Sequence, residues 1–248
     1  MLEIKNKKIS IIGAVRSGLG AAKLAKHLGA IPFVSDAGSE EKLKSSIENL
    51  QNEKIAFEIS QHTEKVFDCD LMVVSPGVPS NAEVIKIARS KNIKIISELE
   101  FASSFCKANV IGITGTNGKT TTTSLCDYLF NECGVKSYSA GNIGLAFSEI
   151  ASEAKENEFV SLEISSFQLD LIDQFKPKVA MILNITPDHL NRYENSVEKY
   201  ALSKLRVFEN QDENDFLILN KESELLNQYF KKAKSNILFF STSKKVSN

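Results

Sequence analysis

A glycine-rich turn between an apolar strand and a helical stretch carries the strongest chemical signal in this sequence. The run Val110–Thr114 leads into GTNGKTT, and the following residues have a helical pattern. Successive backbone N–H groups in such a turn can surround phosphate oxygens, and the helix N-terminus adds partial positive charge. The usual GxxxxGK[ST] spacing is not met, because Ile113 stands where its first glycine would be. The candidate nucleotide-binding residues are Gly115, Thr116, Asn117, Gly118, Lys119, Thr120 and Thr121.

Within this turn, we expect Lys119 to reach the β- and γ-phosphates and the Thr120 hydroxyl to ligate Mg²⁺. Glu163 ends the apolar run FVSLE, where a carboxylate could complete a Mg²⁺ site or remain a solvated strand end. His189 lies in the polar stretch LNITPDHLNRY and could ligate a metal or contact a substrate. Lys204 follows on a predicted helix, a position where most lysines are solvated.

A second glycine turn, Gly13 to Gly18, follows the first apolar run of the chain. It resembles half of a dinucleotide fingerprint, with Val15 in place of the middle glycine and Asp36 positioned 23 residues after Gly13. Three interpretations remain open: the turn binds NAD, it binds another nucleotide-containing ligand, or it is a plain tight turn. Binding of another nucleotide-containing ligand is favoured. The loop Ser75-Pro76-Gly77 follows LMVV and would face the same crevice, unless it is an ordinary Pro-Gly turn.

Alternating short apolar runs and helical patterns predict two parallel α/β units. In the first, strands are predicted at 8–12, 31–35, 71–74 and 93–96, and helices at 18–28, 40–50 and 82–89. In the second, strands are predicted at 110–114, 159–163, 179–183, 216–219 and 237–240, and helices at 120–132 and 196–209. The fold class is therefore α/β: a Rossmann-like domain at 1–97 followed by a P-loop domain at 98–248.

Composition restricts the possible classes of protein. The 248 residues are 42% hydrophobic and 25% charged, which is typical of a globular protein with a sizeable core. A net charge of −1 argues against general electrostatic binding of nucleic acid or of an anionic membrane. No apolar run approaches the length of a membrane span, and four cysteines without a CxxC pair indicate reduced thiols. These features predict a cytoplasmic protein.

Five segments together resemble one family. TGTNGKTTT, GNIG, LEISSFQL, LNITPDHLNRY and YALSKLRVFEN occur in this order in Mur ligases, and SSFQL is most similar to the D-glutamate-adding branch. The resemblance implies three domains, of which this chain matches the first and most of the second. We therefore expect a truncated ligase without the C-terminal domain, which leaves its own turnover in question.

The resemblance also implies the reaction. It is the ATP- and Mg²⁺-dependent joining of D-glutamate to UDP-N-acetylmuramoyl-L-alanine, through an acyl phosphate, in peptidoglycan precursor synthesis. It implies a monomer acting on small molecules, with no nucleic acid and no membrane span. A sibling ligase adding another amino acid, a non-catalytic fragment that binds nucleotide or UDP-sugar, and a plain P-loop ATPase or kinase are the alternatives.

The resemblance assigns roles to individual residues. Lys119, His189 and Lys204 become catalytic, with Lys204 carried as a carbamate that serves a metal ion. The implied metal-binding residues are Thr120, Glu163, His189 and Lys204. The implied substrate-binding residues are Arg16, Ser17, Asp36, Ser75, Pro76, Gly77, Asn142 and His189. The sequence departs from the family pattern at Ala37-Gly38, near the uridine diphosphate, and at Asn191, where an aspartate is common.

Overall fold

A computed structural model describes residues 2–241 and 243, and its contacts divide the chain into two compact units. The first unit comprises the chain up to Cys106, together with Leu145–Glu153 and Leu171–Asp173. The second unit comprises Lys107–Gly144, Ala154–Asp170 and the chain from Gln174 onward. No helix within the described residues is long and apolar enough to cross a membrane.

The first unit is built on a five-stranded parallel sheet in the order β3-β2-β1-β4-β5. This is the order of the first five strands of a Rossmann sheet. Its central strands are buried apolar runs, because helices cover both faces. The strands are β1 (Lys8–Ile12), β2 (Ile31–Asp36), β3 (Ala56–Ile59), β4 (Leu71–Val74) and β5 (Ile95–Ser97). The helices are α1 (Arg16–His27), α2 (Lys44–Asn52), α3 (Glu83–Ser90) and α4 (Glu98–Ser103), with a 3-10 turn at Glu64–Phe67.

The second unit is built on a six-stranded parallel sheet in the order β11-β10-β9-β6-β8-β7. Its strands are β6 (Asn109–Thr114), β7 (Ser137–Gly141), β8 (Phe159–Glu163), β9 (Val179–Ile182), β10 (Phe216–Asn220) and β11 (Asn236–Phe240). Its helices are α5 (Lys119–Glu132), α7 (Ser166–Leu169), α8 (Val197–Leu205) and α9 (Glu224–Tyr229). Short 3-10 turns lie at Leu190–Arg192, Arg206–Phe208 and Phe230–Lys232.

Two segments from the second half of the chain fold with the first unit. One of them contains the short helix α6 (Phe147–Ile150), which packs against α1 and α4. Gly20 allows the close approach to α1, because a Cβ atom there would lie 2.5 Å from Ser148 Oγ. The first unit is therefore not a continuous stretch of sequence.

Two buried glutamates of α4 hold these segments. Glu98 Oε1 accepts a hydrogen bond from Ser148 N at 2.8 Å, and Glu100 Oε2 accepts one from Asp173 N at 2.8 Å. Burial raises the pKa of Glu98. One acidic side chain thus holds each inserted segment.

The observed elements confirm the predicted α/β class and differ from the predictions in detail. The domain division predicted after residue 97 stays a prediction, and the compact first unit includes α4 and continues to Cys106. The helix predicted over 40–50 is observed at Lys44–Asn52, and the one predicted over 196–209 is α-helical only at Val197–Leu205. Strands β3 and β7 had no predicted counterpart.

Candidate functional site

The glycine loop (residues 115–121) joins β6 to α5 in a conformation that requires its glycines. Gly118 is the N-cap of α5 with φ +83°, in the left-handed region. Gly115 has φ +153°, and a Cβ atom there would lie 3.1 Å from Leu183 Cβ. The first backbone N–H groups of the 14-residue α5 have no intrahelical acceptor. The loop therefore presents a set of N–H donors and the positive end of a helix, a combination suited to an anion.

The polar segment after β9 fixes this loop. Asn184 Oδ1 accepts hydrogen bonds from Thr116 N at 3.1 Å and Asn117 N at 2.9 Å, and Asn184 Nδ2 donates to Asn117 O at 2.9 Å. Thr116 Oγ1 donates to Thr186 O and accepts from Thr186 N, both at 3.0 Å. Asn184 and Thr186, two of the four residues of the LNIT motif, therefore hold the glycine loop in place.

Three of the predicted residues meet at the start of α5. Thr120 Oγ1 donates to Glu163 Oε2 at 2.7 Å, and Asn142 Nδ2 donates to Glu163 Oε1 at 2.9 Å. Glu163 is only 2% exposed. Gly141 has φ +102°, and a Cβ atom there would lie 2.3 Å from Glu163 O, so the glycine of the GN pair lets Asn142 reach the carboxylate. A buried carboxylate beside a loop hydroxyl is a donor set that suits Mg²⁺.

Both predicted lysines of the second unit bind carbonyl groups of the glycine loop. Lys119 Nζ donates to Thr116 O at 2.8 Å, and Lys204 Nζ donates to Gly115 O at 2.9 Å. Lys204 reaches the loop from α8 and is 1% exposed, in contrast to most lysines on helices, which are solvated. Two cationic side chains therefore converge on the loop.

Burial changes the acid–base character of Lys204. Desolvation, together with the charge of Lys119, lowers the pKa of Lys204 to about 7, although the charge of Asp188 opposes the change. The Nζ atom lies 4.7 Å from the centre of the Tyr200 ring. An amine with this pKa is largely neutral slightly above neutral pH, and a neutral amine is a nucleophile.

His189 lies at the entrance to the 3-10 turn Leu190–Arg192, with φ +49°. Its backbone N–H donates to Asp188 Oδ1 at 2.8 Å, and its Nε2 lies 3.5 Å from Asp188 Oδ2. Its ring contacts Phe167 edge-on at 5.4 Å, and its side chain is 58% exposed. Across residues 2–241 and 243, no group of three or more His, Cys, Asp and Glu side chains could hold a metal ion. The metal roles of Thr120, Glu163, His189 and Lys204 all stay predictions.

A cavity of about 740 Å³ in the first unit is a second candidate site. All six residues predicted there to contact substrate line it: Arg16, Ser17, Asp36, Ser75, Pro76 and Gly77. Val15, which replaces the fingerprint glycine, also lines the cavity and is 62% exposed. Val15 is the N-cap residue of α1, so the N-terminus of this helix lies at the wall of the cavity. The Val15 side chain makes no capping hydrogen bond.

The Asp36 carboxylate holds the glycine turn of the first unit. Its Oδ2 accepts from Ala14 N and its Oδ1 accepts from Gly38 N, both at 2.7 Å. Gly18 is required because a Cβ atom there would lie 1.8 Å from Gly13 O. Asp36 therefore has a structural role that the sequence did not predict, in addition to its position on the cavity.

Comparisons with known sequences connect both sites to one family. The family model described as the Mur ligase middle domain matches residues 113–248, and the one described as the MurD N-terminal domain matches residues 8–84. A protein of Chloroherpeton thalassium named UDP-N-acetylmuramoylalanine--D-glutamate ligase is 46% identical over 92% of this chain and 50% of its own length. A protein of the same name from Koribacter versatilis is 43% identical over 99% of this chain and 54% of its own length. The chain thus spans about half the length of these curated relatives.

Solved structures share the fold at lower identity. UDP-N-acetylmuramate:L-alanyl-gamma-D-glutamyl-meso-diaminopimelate ligase from Neisseria meningitides aligns with a TM-score of 0.64 at 18% identity, covering 94% of this chain and 78% of that one. UDP-N-acetylmuramate-alanine ligase from Thermotoga maritima aligns with a TM-score of 0.56 at 22% identity, covering 96% of this chain and 53% of that one. At these identities, the likeness concerns the fold alone.

Proposed function

This chain belongs to the Mur ligase family, and from that premise we propose that it forms the nucleotide-binding part of a D-glutamate-adding ligase. The reaction would join D-glutamate to UDP-N-acetylmuramoyl-L-alanine at the expense of ATP, in peptidoglycan precursor synthesis. The second unit would bind ATP, and the first would bind the uridine diphosphate part of the substrate.

The hydrogen bond between Thr120 Oγ1 and Glu163 Oε2 is the observation that carries the proposal. It joins the start of a helix, where phosphate oxygens bind well, to a buried carboxylate, which binds divalent cations well. Lys119 adds a positive charge on the same turn. A loop that only made a tight turn would need neither the carboxylate nor the lysine.

Mg²⁺ fits the donors of this site. Thr120 and Glu163 would hold it, with His189 and a carbamate of Lys204 as further ligands. When bound, Mg²⁺ offsets negative charge on transferring phosphoryl groups. The helix N-terminus and Lys119 would orient the ATP phosphates and offset charge in the same way.

Lys204 supports a carbamate because its amine is both buried and weakly basic. A neutral amine can attack CO₂, forming an N–C bond and releasing a proton, and the product is an anion. The modification would replace a buried cation by a group that binds metal. It would also remove the repulsion between Lys204 and Lys119 that contributes to the lowered pKa.

The chemical logic of the reaction requires ATP. The alanyl carboxylate would accept the γ-phosphoryl group, since a free carboxylate has no usable leaving group. The D-glutamate amine would then attack the acyl phosphate, forming the amide and releasing phosphate. Asn142, held by Glu163, is proposed to contact the substrate, as are the six cavity residues of the first unit.

The decisive experiment separates binding from turnover. The chain is titrated by calorimetry with Mg-ATP and with UDP-N-acetylmuramoyl-L-alanine, then mixed with both and D-glutamate for mass spectrometry. A D-glutamyl product supports the full proposal, and binding of both ligands without product supports only the nucleotide-binding part. A failure to bind the UDP-substrate refutes the assignment of the first unit. A product formed with another amino acid, and not with D-glutamate, would identify a sibling ligase.

A matched pair of variants tests the metal site. Glu163→Gln should remove the Mg²⁺ dependence of ATP binding, whereas Glu132→Gln, an exposed change at the far end of α5, should leave it intact. Equal Mg²⁺ dependence in both variants would contradict the role of Glu163.

A further inference from the structure

His62 lines the cavity of the first unit, although no sequence motif marks it. It lies in the segment between β3 and the 3-10 turn at Glu64–Phe67. Its Nδ1 is 2.7 Å from Ser35 Oγ on β2, and the next residue of that strand, Asp36, lines the same cavity. The imidazole is therefore fixed against the end of β2, beside the carboxylate.

The hydrogen bonds of Ser35 determine which ring nitrogen of His62 carries the proton. Ser35 Oγ lies 2.7 Å from Glu58 Oε1 and 3.3 Å from Gln61 O. A hydroxyl has one proton to donate, and both a carboxylate and a carbonyl can only accept. The Ser35 proton therefore points to Glu58 or Gln61, so the bond between Ser35 and His62 forms only when Nδ1 is the donor.

The environment keeps Glu58 charged and His62 neutral. Burial acts to raise the pKa of Glu58, but hydrogen bonds from Thr63 and Ser35 outweigh it, and the net change is downward. Thr63 donates to the two Glu58 oxygens, from N at 2.8 Å and from Oγ1 at 2.5 Å. Burial lowers the pKa of His62, against the opposing charges of Glu58 and Asp36. A neutral ring with its proton on Nδ1 presents Nε2 as an acceptor.

We propose that His62 is a specificity-determining residue of this cavity, whose Nε2 accepts a hydrogen bond from an N–H or O–H group of the bound nucleotide. The inference rests on the proposed binding of a uridine nucleotide by the first unit. Each carboxylate oxygen of Asp36 already accepts one backbone N–H group, so the imidazole Nε2 adds an acceptor that is not committed to the turn at the end of the same strand. Uridine offers two kinds of donor, the N3–H of the base and the ribose hydroxyls.

The test pairs His62 variants with UDP analogues that each lack one donor. UDP, its N3-methyl derivative and its 2′-deoxy and 3′-deoxy forms are titrated into the full chain by calorimetry. In the wild type, one analogue should bind about five- to tenfold more weakly than UDP, the usual effect of one hydrogen bond. In His62→Phe, that analogue and UDP should bind equally well, whereas His62→Gln, which keeps an acceptor, should retain part of the discrimination. His27→Phe, an exposed change at the end of α1, is the control and should behave as the wild type.

The outcomes separate this inference from the proposed function. If the wild type does not bind UDP, the assignment of the first unit fails. If UDP binds but no analogue is discriminated differently by wild type and His62→Phe, the role of His62 is overturned. Nitrogen-15 NMR of labelled histidine gives an independent measurement: the signals lost in His62→Phe should show a protonated Nδ1 and an unprotonated Nε2. The opposite tautomer would also overturn the inference.

Discussion

Replacing Lys204 by methionine should change how the stability of the protein depends on pH. Lys204 is 1% exposed, and its pKa of about 7 lies well below the ordinary value of 10.5. Between these two values, the unfolded chain binds a proton that the folded chain does not. Stability therefore rises with pH through this window, and it falls as pH drops towards 7. Methionine has a similar length and does not titrate, so Lys204→Met lacks this contribution.

The size of the effect follows from the two pKa values. One pKa unit corresponds to about 1.4 kcal/mol. Integrated between about pH 7 and about pH 9, the lysine adds about 2 kcal/mol to the free energy of unfolding of the wild type. The variant should gain none of this increment, because other groups titrate equally in both proteins.

Urea unfolding at the two pH values, in CO₂-depleted buffer without nucleotide, measures the difference. CO₂ is removed so that Lys204 stays an amine. Lys199→Met is the control, because Lys199 lies on the same helix with half of its side chain exposed. If wild type and Lys204→Met gain equal stability between the two pH values, Lys204 is not a desolvated amine in the folded protein. Lys204 would then lack the neutral amine that carbamate formation requires.

Three further substitutions separate the roles of other side chains. Lys119→Ala should weaken Mg-ATP binding at least tenfold without changing the thermal midpoint, and unchanged affinity in calorimetry would show that the lysine does not reach the phosphates. Asp36→Ala should abolish UDP binding and also destabilise the first unit by about 1–3 kcal/mol, because two backbone N–H groups lose their acceptor. ATP binding should survive, and its parallel loss would indicate general unfolding. Glu98→Gln should lose less stability than the wild type between mildly acidic and neutral pH. Because burial raises the pKa of Glu98 in the wild type, the protonated carboxyl stabilises the folded state at low pH. That contribution is lost as pH rises through the folded-state pKa, and glutamine does not titrate. Equal losses in denaturant unfolding would contradict this assignment.

The sequence predicted best the features that depend on local pattern. The bounds of β1, β4 and β8 agree with the predictions, because each strand is a short apolar run followed by a polar turn. Strand β7 was missed because SYSAG has few apolar residues, and β3 because it lies only half-buried at the sheet edge. The six predicted cavity residues came together because loops at the carboxyl ends of parallel strands share one edge.

Features that depend on distant packing were not predictable. The burial of Lys204 requires α8 to pack over the glycine loop, and no local pattern encodes that contact. His62 reaches Ser35 across 27 positions of sequence, so its tautomer follows from a tertiary contact. The spacing of Asp36 could place it on the cavity, but it could not predict the hydrogen bonds that Asp36 accepts from Ala14 N and Gly38 N.

The interrupted chain path of the first unit also sets an order of events during synthesis. All five strands of its sheet are complete by Ser97, yet Ser148 and Asp173, which bind the two glutamates of α4, are made much later. A ribosome must therefore translate the whole glycine loop and α5 before the first unit acquires its last contacts. Domains generally fold as units as they emerge. In the nascent chain, Glu98 therefore gains the hydrogen bond from Ser148 N first, and Glu100 gains the one from Asp173 N only after residue 173 has left the exit tunnel.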